Sequence, residues 1–570
     1  MLTTRPLAHP VTPFADPLPI PARHVITEPT RLTIPIKPAY HRFHRELPPS
    51  KVWTYDGQLP GPSIEVPRGI PIEVMWENQL EGTLPVVVTT APAYEVDGVP
   101  VQCLPGRSGG QPDRAAAALR GFSVVHLHGA VVQATNDGWT ENLALPSQPK
   151  LDRYPNDQRA AALWYHDHVM GVTRLNVYAG LAGMWIIRDD VERRLGLPEG
   201  PPYELPILLA DRNFDIADDG SLTGVLLHKN DPQVMECFGP LTTVNGVVWP
   251  VLDVEPATYR FRVLNASNAR TYRLVLCRNG EPDLGRITQI GTDGGLLAAP
   301  ACLPPQGLVL ASAERADLLV DFSDLVPGSE LTWWNTAAAP FDGTFAAPAT
   351  AGVSDPDALL AYPEVLRFRV VEGRGRRYRV PQTLSTDIEP VARSSLAGCP
   401  RRAIALVERE AETEGEPSML TLRELIEDPG AADPVVTVFE PGEGGPAAAT
   451  RYRTGATRFE DGASFFPVLH HAELWRFINL TADTHPMHVH LEAFQILERH
   501  AARVEIPEGG VTATATSATV RIGERDLDDG IPHVVDDNER GLKDTVRVNA
   551  NEVVDVVVRF DAFAGRYMYH

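Results

Sequence analysis

Histidines crowd into four short stretches of this chain, and their spacing is that of metal ligands. His126-Leu127-His128-Gly129 follows the apolar run Phe122-Ser123-Val124-Val125, and His166-Asp167-His168 follows Leu163-Trp164-Tyr165. His485-Pro486-Met487-His488-Val489-His490 lies near the end, and His570 follows Arg566-Tyr567-Met568-Tyr569. On a strand, residues i and i+2 project from one face roughly 7 Å apart. That is too far for one ion to take both rings in every case, and it suits neighbouring ions that take one ring each. Neutral imidazole binds Zn, Cu, Fe and Ni, so ligand type alone names no metal. One such pair is commonly a core or surface feature. Three pairs in one chain point to a multinuclear site. His9, His24, His41, His44, His228, His470, His471, His500 and His533 lack such partners and are expected to be structural or solvated. His470 and His471 are adjacent, so on a strand they would face opposite ways.

Ligands spaced by two need strands to carry them, and the rest of the chain reads as strands. Short alternating runs such as Ile70–Trp76, Tyr259–Leu264, Leu474–Leu480 and Val553–Phe560 are bounded by Gly, Pro, Asn or Asp. The 52 prolines disfavour long helices. Three runs resemble one another: Glu73-Val74-Met75-Trp76-Glu77-Asn78, Arg260-Phe261-Arg262-Val263-Leu264-Asn265 and Leu474-Trp475-Arg476-Phe477-Ile478-Asn479. Asp56-Gly57 with Pro60 precedes the first, and Asn245-Gly246 with Pro250 precedes the second. A recurrence near 200 residues is a domain period, so an all-β chain of three related sandwiches is expected. The expected boundaries are 1–190 for the first domain, 191–371 for the second, an irregular linker over 372–434, and 435–570 for the third. Val191–Leu195 and Thr421–Glu427 are expected to be short helices, and the acidic stretch Glu524–Glu539 a solvated loop.

With 51 basic and 74 acidic residues among 570, the formal charge is −23. Nucleic acid and anionic membrane surfaces are disfavoured as partners, and no basic patch offsets this. No run approaches 18 apolar residues, and the start lacks an apolar secretory core, so a cytoplasmic protein is expected. The five cysteines are scattered and form no CxxC pair, which indicates neither a disulfide framework nor a zinc knuckle.

The succession HxHG, HxH and HPxHxH resembles the multicopper oxidase family, over nearly the whole chain. Tyr165-His166-Asp167-His168 and Thr173–Leu181 are similar to the bacterial branch of spore-coat laccases, bilirubin oxidases and phenoxazinone synthase. The resemblance implies three cupredoxin domains and copper of types 1, 2 and 3. It implies His126 and His488 at the type 2 copper, His128, His166, His168, His490 and His570 at the type 3 pair, and His485 at the type 1 copper. It implies Asp137, in Asn136-Asp137-Gly138, as a catalytic proton relay. The partners implied are O2 and a small aromatic reductant such as a phenol or o-aminophenol, and ring-forming relatives leave a homo-oligomer open. The family motif continues past the position of His570 with Cys and a further His. A chain cut there is expected to lack most type 1 ligands and to turn over little. A redox-dead copper-binding coat or storage protein is therefore the runner-up, and a zinc hydrolase is a third reading. With 8 Met and no Met-rich segment, oxidation of Cu(I) is disfavoured, while ferroxidase activity stays open.

Overall fold

The structure is a computed structural model; it describes residues 8–92, 95–96, 99–230, 236–343, 362–409, 419–441, 448–506, 517–524 and 533–570. Strands dominate, as the alternating runs require. Ile72–Asn78 alternates between buried and half-buried along its whole length, one face inward and one outward.

The first unit stacks two sheets. One has the strand order Arg23–Val25, Gly61–Pro67, Ala182–Arg188, Ala161–Asp167, Val125–His128, and the other Pro149–Tyr154, Ile72–Asn78, Thr30–His41, Ser50–Tyr55. Trp53, Tyr55, Trp76, Tyr154, Tyr165 and Trp185 fill one core with them. Each such ring buries about 200 Å², worth roughly 5 kcal/mol of gross transfer free energy. The second unit pairs a seven-stranded sheet, centred on Glu204–Arg212, Thr258–Asn265 and Arg315–Asp321, with a sheet built on Tyr272–Arg278, Glu330–Asn335 and Glu364–Val370. The third closes into an eight-stranded barrel, beside which His485–His488 pairs with Thr545–Val548. Among the described residues, no helix is long and apolar enough to cross a membrane.

The recurrence seen in sequence has a structural cause. Each of the three similar runs ends in a buried asparagine whose Oδ1 accepts the backbone N–H two residues on: Asn78 from Leu80, Asn265 from Ser267 and Asn479 from Thr481. Each Nδ2 donates to backbone carbonyls across the turn, Gly121 and Ala144 for Asn78, Arg270 and Leu310 for Asn265, and Val548 and Asn549 for Asn479. One amide therefore ties the end of each strand to the loops around it.

Three expectations need correction. The stretch 372–434 is not wholly a linker: Arg401–Arg409 and Met419–Glu427 are strands of the third unit's barrel, which begins before residue 435. Thr421–Glu427 is accordingly strand and not helix. Its Leu and Glu favour helix in isolation, but register pairing of Leu425 with Ala403 and of Glu424 with Ile404 overrides that preference. In the acidic stretch, 525–532 lie outside the described residues, but Glu539 is buried and ion-paired at 2.8 Å to both Arg499 and Arg547. The short helix near Val191 does form, as Asp190–Leu195. Asp189 caps its start through the Glu192 N–H, and left-handed Gly196 ends it.

Candidate metal centre

Strand register brings the histidine pairs together. Antiparallel pairing of Val125–His128 with Ala161–Asp167 sets His126 directly opposite His166. In the third unit the backbones of His488 and His570 exchange both hydrogen bonds, at 2.7 and 3.0 Å, so the last residue is held against the HPxHxH strand. His126, His128, His166, His168, His488 and His490 are each at most 5% exposed.

Seven of the eight predicted histidines meet at one place between the first and third units. His126, His128 and His166 present ligand nitrogens to one another, as do His126, His488 and His490, and also His168, His490 and His570. The Nε2 atom of His570 lies 3.3 Å from Nε2 of both His168 and His490. His485 stands apart. Its Nε2 is 2.8 Å from Thr481 Oγ1 and 3.0 Å from Asp483 Oδ1, and its metal-competent neighbours are Glu236 and Asp483.

Most of these rings have one nitrogen tied down and the other left open. Nδ1 donates to the Asp137 carbonyl from His126 (2.5 Å), to the Asp167 carbonyl from His166 (2.8 Å), and to the Asp544 carbonyl from His488 (2.7 Å). His490 Nδ1 donates to Asp137 Oδ2 at 2.8 Å. The Nε2 atoms of His126, His166 and His488 are buried with no hydrogen-bond partner. A buried lone pair without a donor is costly, and a cation satisfies it. The residues present therefore fit a cluster of metal ions. Burial and neighbouring charge hold His126, His128, His166, His168, His488 and His570 neutral. His168 is pushed down to about 3 and His128 to about 4, and His126, His166 and His488 lie well below the usual range. Neutral imidazole is the ligating form.

Asp137 is not a surface turn residue: it is 4% exposed. The next residue, Gly138, has φ +83°, and a Cβ there would lie 2.5 Å from the Val125 carbonyl, so the turn packs directly on the His126 strand. The Asp137 carbonyl and carboxylate orient His126 and His490, one from each side of the interface. Asp167, between two ligands, is held away from the cluster by the N–H groups of Val124 and Val169 and the Asn176 amide. Burial raises its carboxyl to about 7. This placement gives no base for a hydrolase.

Two further side chains contact the cluster and were not among the expected site residues. Trp164 stacks on His166 with ring centroids 4.0 Å apart. Asp544 places a carboxylate oxygen 3.1 Å from His128 Nε2. Asp544 follows no repeated spacing, whereas Trp164 stands two residues before His166 on the same strand, so the spacing of two was the signal that could have found it.

Among the histidines outside the cluster, His44, His228 and His533 are buried and not solvated. His228 Nε2 donates to Asn268 Oδ1 at 2.9 Å, and burial together with Arg174 pushes its pKa down to about 3. Below pH 6.5 the unfolded chain takes up a proton that the folded ring refuses. Its share of stability is full above pH 6.5 and falls by about 1.4 kcal/mol per pH unit toward pH 3. Urea unfolding of His228→Gln at pH 7 and pH 5 is expected to show a shallower loss than the parent, and an equal loss would refute this.

Comparison with known proteins agrees with this geometry. Family models described as multicopper oxidase match residues 118–192 and 436–570. Curated laccases of Bacillus stratosphericus and Bacillus subtilis (strain 168) are each 32% identical, over 98% of this chain and 95% of theirs. A protein of Oryza sativa subsp. japonica named multicopper oxidase LPR1 homolog 1 is 32% identical over 94% of this chain and 83% of its own. Among solved structures, the McoA multicopper oxidase of Aquifex aeolicus superposes with a TM-score of 0.62 at 23% identity, covering 97% of this chain and 95% of its own, which supports the cupredoxin-like fold. The chain belongs to the multicopper oxidase family, whose copper-dependent oxidoreductases use O2 as electron acceptor.

Proposed function

We propose that this protein oxidises phenols or o-aminophenols by single electrons and reduces O2 to water at the seven-histidine centre. Four substrate oxidations supply the four electrons, and O2 takes them up with four protons to give two waters. The observation that carries this reading is the convergence of seven rings from two units with their free nitrogens turned inward. His126 and His488 would hold the type 2 copper, and His128, His166, His168, His490 and His570 the type 3 pair. His485 would be a type 1 ligand on the side where the reductant docks; Glu236 and Asp483 stand with it and no thiolate belongs to that group, so turnover is expected to be slow. Copper bound there supplies one-electron redox chemistry.

The protein's own groups do the rest. The carbonyls of Asp137, Asp167 and Asp544 fix the ring tautomers, so the ligand nitrogens need no reorganisation. Burial of the rings keeps bulk water out. Asp137, in contact with ligands from both units, moves protons inward from the turn at 134–138.

Copper and zinc stoichiometry after loading, with O2 uptake on an o-aminophenol, tests the reading. Copper in excess of zinc and copper-dependent uptake are expected. Zinc in excess with no uptake would overturn it, and copper binding without uptake would favour the redox-dead alternative. Asp137→Asn is expected to keep its copper and the KM for the reductant while kcat falls about 10²-fold or more. An unchanged kcat would remove the relay role.

A further inference from the structure

His128 is turned the other way round. Where His126, His166, His488 and His490 engage Nδ1 with the protein, His128 engages Nε2, 3.1 Å from both Asp544 Oδ1 and Thr545 Oγ1. Its Nδ1 is therefore the nitrogen left for a metal. The same Asp544 accepts His488 Nδ1–H on its backbone carbonyl, so one residue sets two ligands from different units.

Asp544 is itself clamped. Arg315 donates from Nη1 to Oδ1 at 2.6 Å and from Nη2 to Oδ2 at 2.5 Å, the two-pronged pairing that a guanidinium makes best. Arg315 begins a strand of the middle unit, which contributes none of the seven histidines. Its Nε donates to the Ala162 carbonyl, on the strand that carries His166. Asp293, also of the middle unit, accepts the N–H groups of Arg315, Asp544 and Thr545 and pairs with Lys543 at 3.1 Å. The glycine of the HxHG motif fits this clamp. Gly129 has φ +85°, and a Cβ on it would stand 2.7 Å from both Arg315 Nη2 and Asp544 Oδ2. All three units thus meet at one ion pair: Gly129 from the first, Arg315 from the second and Asp544 from the third.

We propose that the Arg315–Asp544 pair, seated on Gly129, is the positioning element of the copper cluster. It selects the nitrogen that His128 turns inward, and it makes copper loading depend on docking of the middle unit. This rests on the reading of the seven histidines as copper ligands. Asp544 and Arg315 touch no substrate; they act through His128 and His488.

The test compares Asp544→Asn, Arg315→Lys and Arg315→Met with Arg476→Lys in the full chain. Arg476 makes a buried two-pronged pair with Asp555, at 2.7 and 2.8 Å, away from the cluster histidines. Copper retention against a chelator, the electron paramagnetic resonance spectrum of the copper-loaded protein and thermal unfolding of the metal-free protein are measured for each. Asp544→Asn and Arg315→Met are expected to weaken copper binding about 10- to 100-fold and to alter the spectrum. Arg315→Lys keeps the charge and should recover part of the loss. Arg476→Lys should lose stability while keeping wild-type affinity and spectrum. If Asp544→Asn does not fold, Arg315→Lys decides. Wild-type affinity and an unchanged spectrum in the folded Asp544 and Arg315 variants would overturn the proposal, as would equal copper loss in Arg476→Lys. Failure of the wild type to hold copper at these histidines would instead overturn the underlying reading.

Discussion

Replacing His490 by alanine is expected to abolish O2 reduction while leaving the fold intact. The ring is shared by two of the ligand groups, one with His126 and His488 and the other with His168 and His570. It also stacks on His126 with centroids 4.1 Å apart. Its loss opens both groups at once and strands the Asp137 carboxylate without its partner at 2.8 Å. Several kcal/mol of metal-supplied stabilisation disappear with it, so the slow O2 uptake of the copper-loaded parent should fall to the metal-free background. Copper content should fall by one ion or more. Metal-free protein should unfold at nearly the parental temperature, because the ring serves ligation more than packing and its removal relieves crowding among buried imidazoles. Copper counting by mass spectrometry and O2 electrode traces decide it. A variant with full copper and parental uptake would show that the seven rings are not the reaction centre.

How much of this was legible beforehand depends on whether a signal is local. The paired histidines were readable because strand geometry converts a spacing of two into a shared face, and the three Asn-ending runs because the same turn is built three times. Asp137 was readable as a candidate through the family resemblance, although only folding shows that it reaches two ligands from opposite sides. Asp544, Arg315 and Asp293 were not readable. Each is a lone charge in an acidic chain, and Arg315 and Asp544 stand more than 200 residues apart. Their meaning comes wholly from tertiary pairing. The strands at Arg401–Arg409 and Met419–Glu427 were missed for a related reason. The buried apolar run Ala403–Val407 is short and bounded by Arg401, Arg402 and Glu408, and much of Met419–Glu427 is half-exposed, so both look like linker until the barrel supplies partners for them.

The largest stability effect is expected at a buried ionic cluster joining the first and second units. Arg262, 2% exposed, donates to Glu204 Oε1 at 2.9 Å, contacts Asp317 Oδ2 at 2.9 Å and also pairs with Glu192. Arg260 makes a two-pronged pair with Asp317, and Arg188 bridges Glu204 to Glu65 at the end of the first unit's sheet. Three buried guanidinium groups, with Arg23 on Glu65 at the rim, thus balance four carboxylates. Removing one partner leaves buried charge unpaired, so Arg262→Met is expected to cost about 3–5 kcal/mol in denaturant unfolding. Adding Glu204→Gln should restore part of that, since the double variant removes a charge of each sign. The pH dependence has a definite sign. Burial opposes ionisation of Glu204, yet Arg262, Arg260 and Arg188 override it and hold the carboxyl well below the usual range. A depressed carboxyl contributes its full stability above the unfolded value near pH 4.3 and loses it as pH falls further. The parent should therefore weaken as pH drops below about 5, and Arg262→Met should unfold in acid at a higher pH than the parent. If Arg262→Met cost less than about 1 kcal/mol, the cluster would be a near-neutral substitute for apolar packing, and apolar contacts would be what joins the two units.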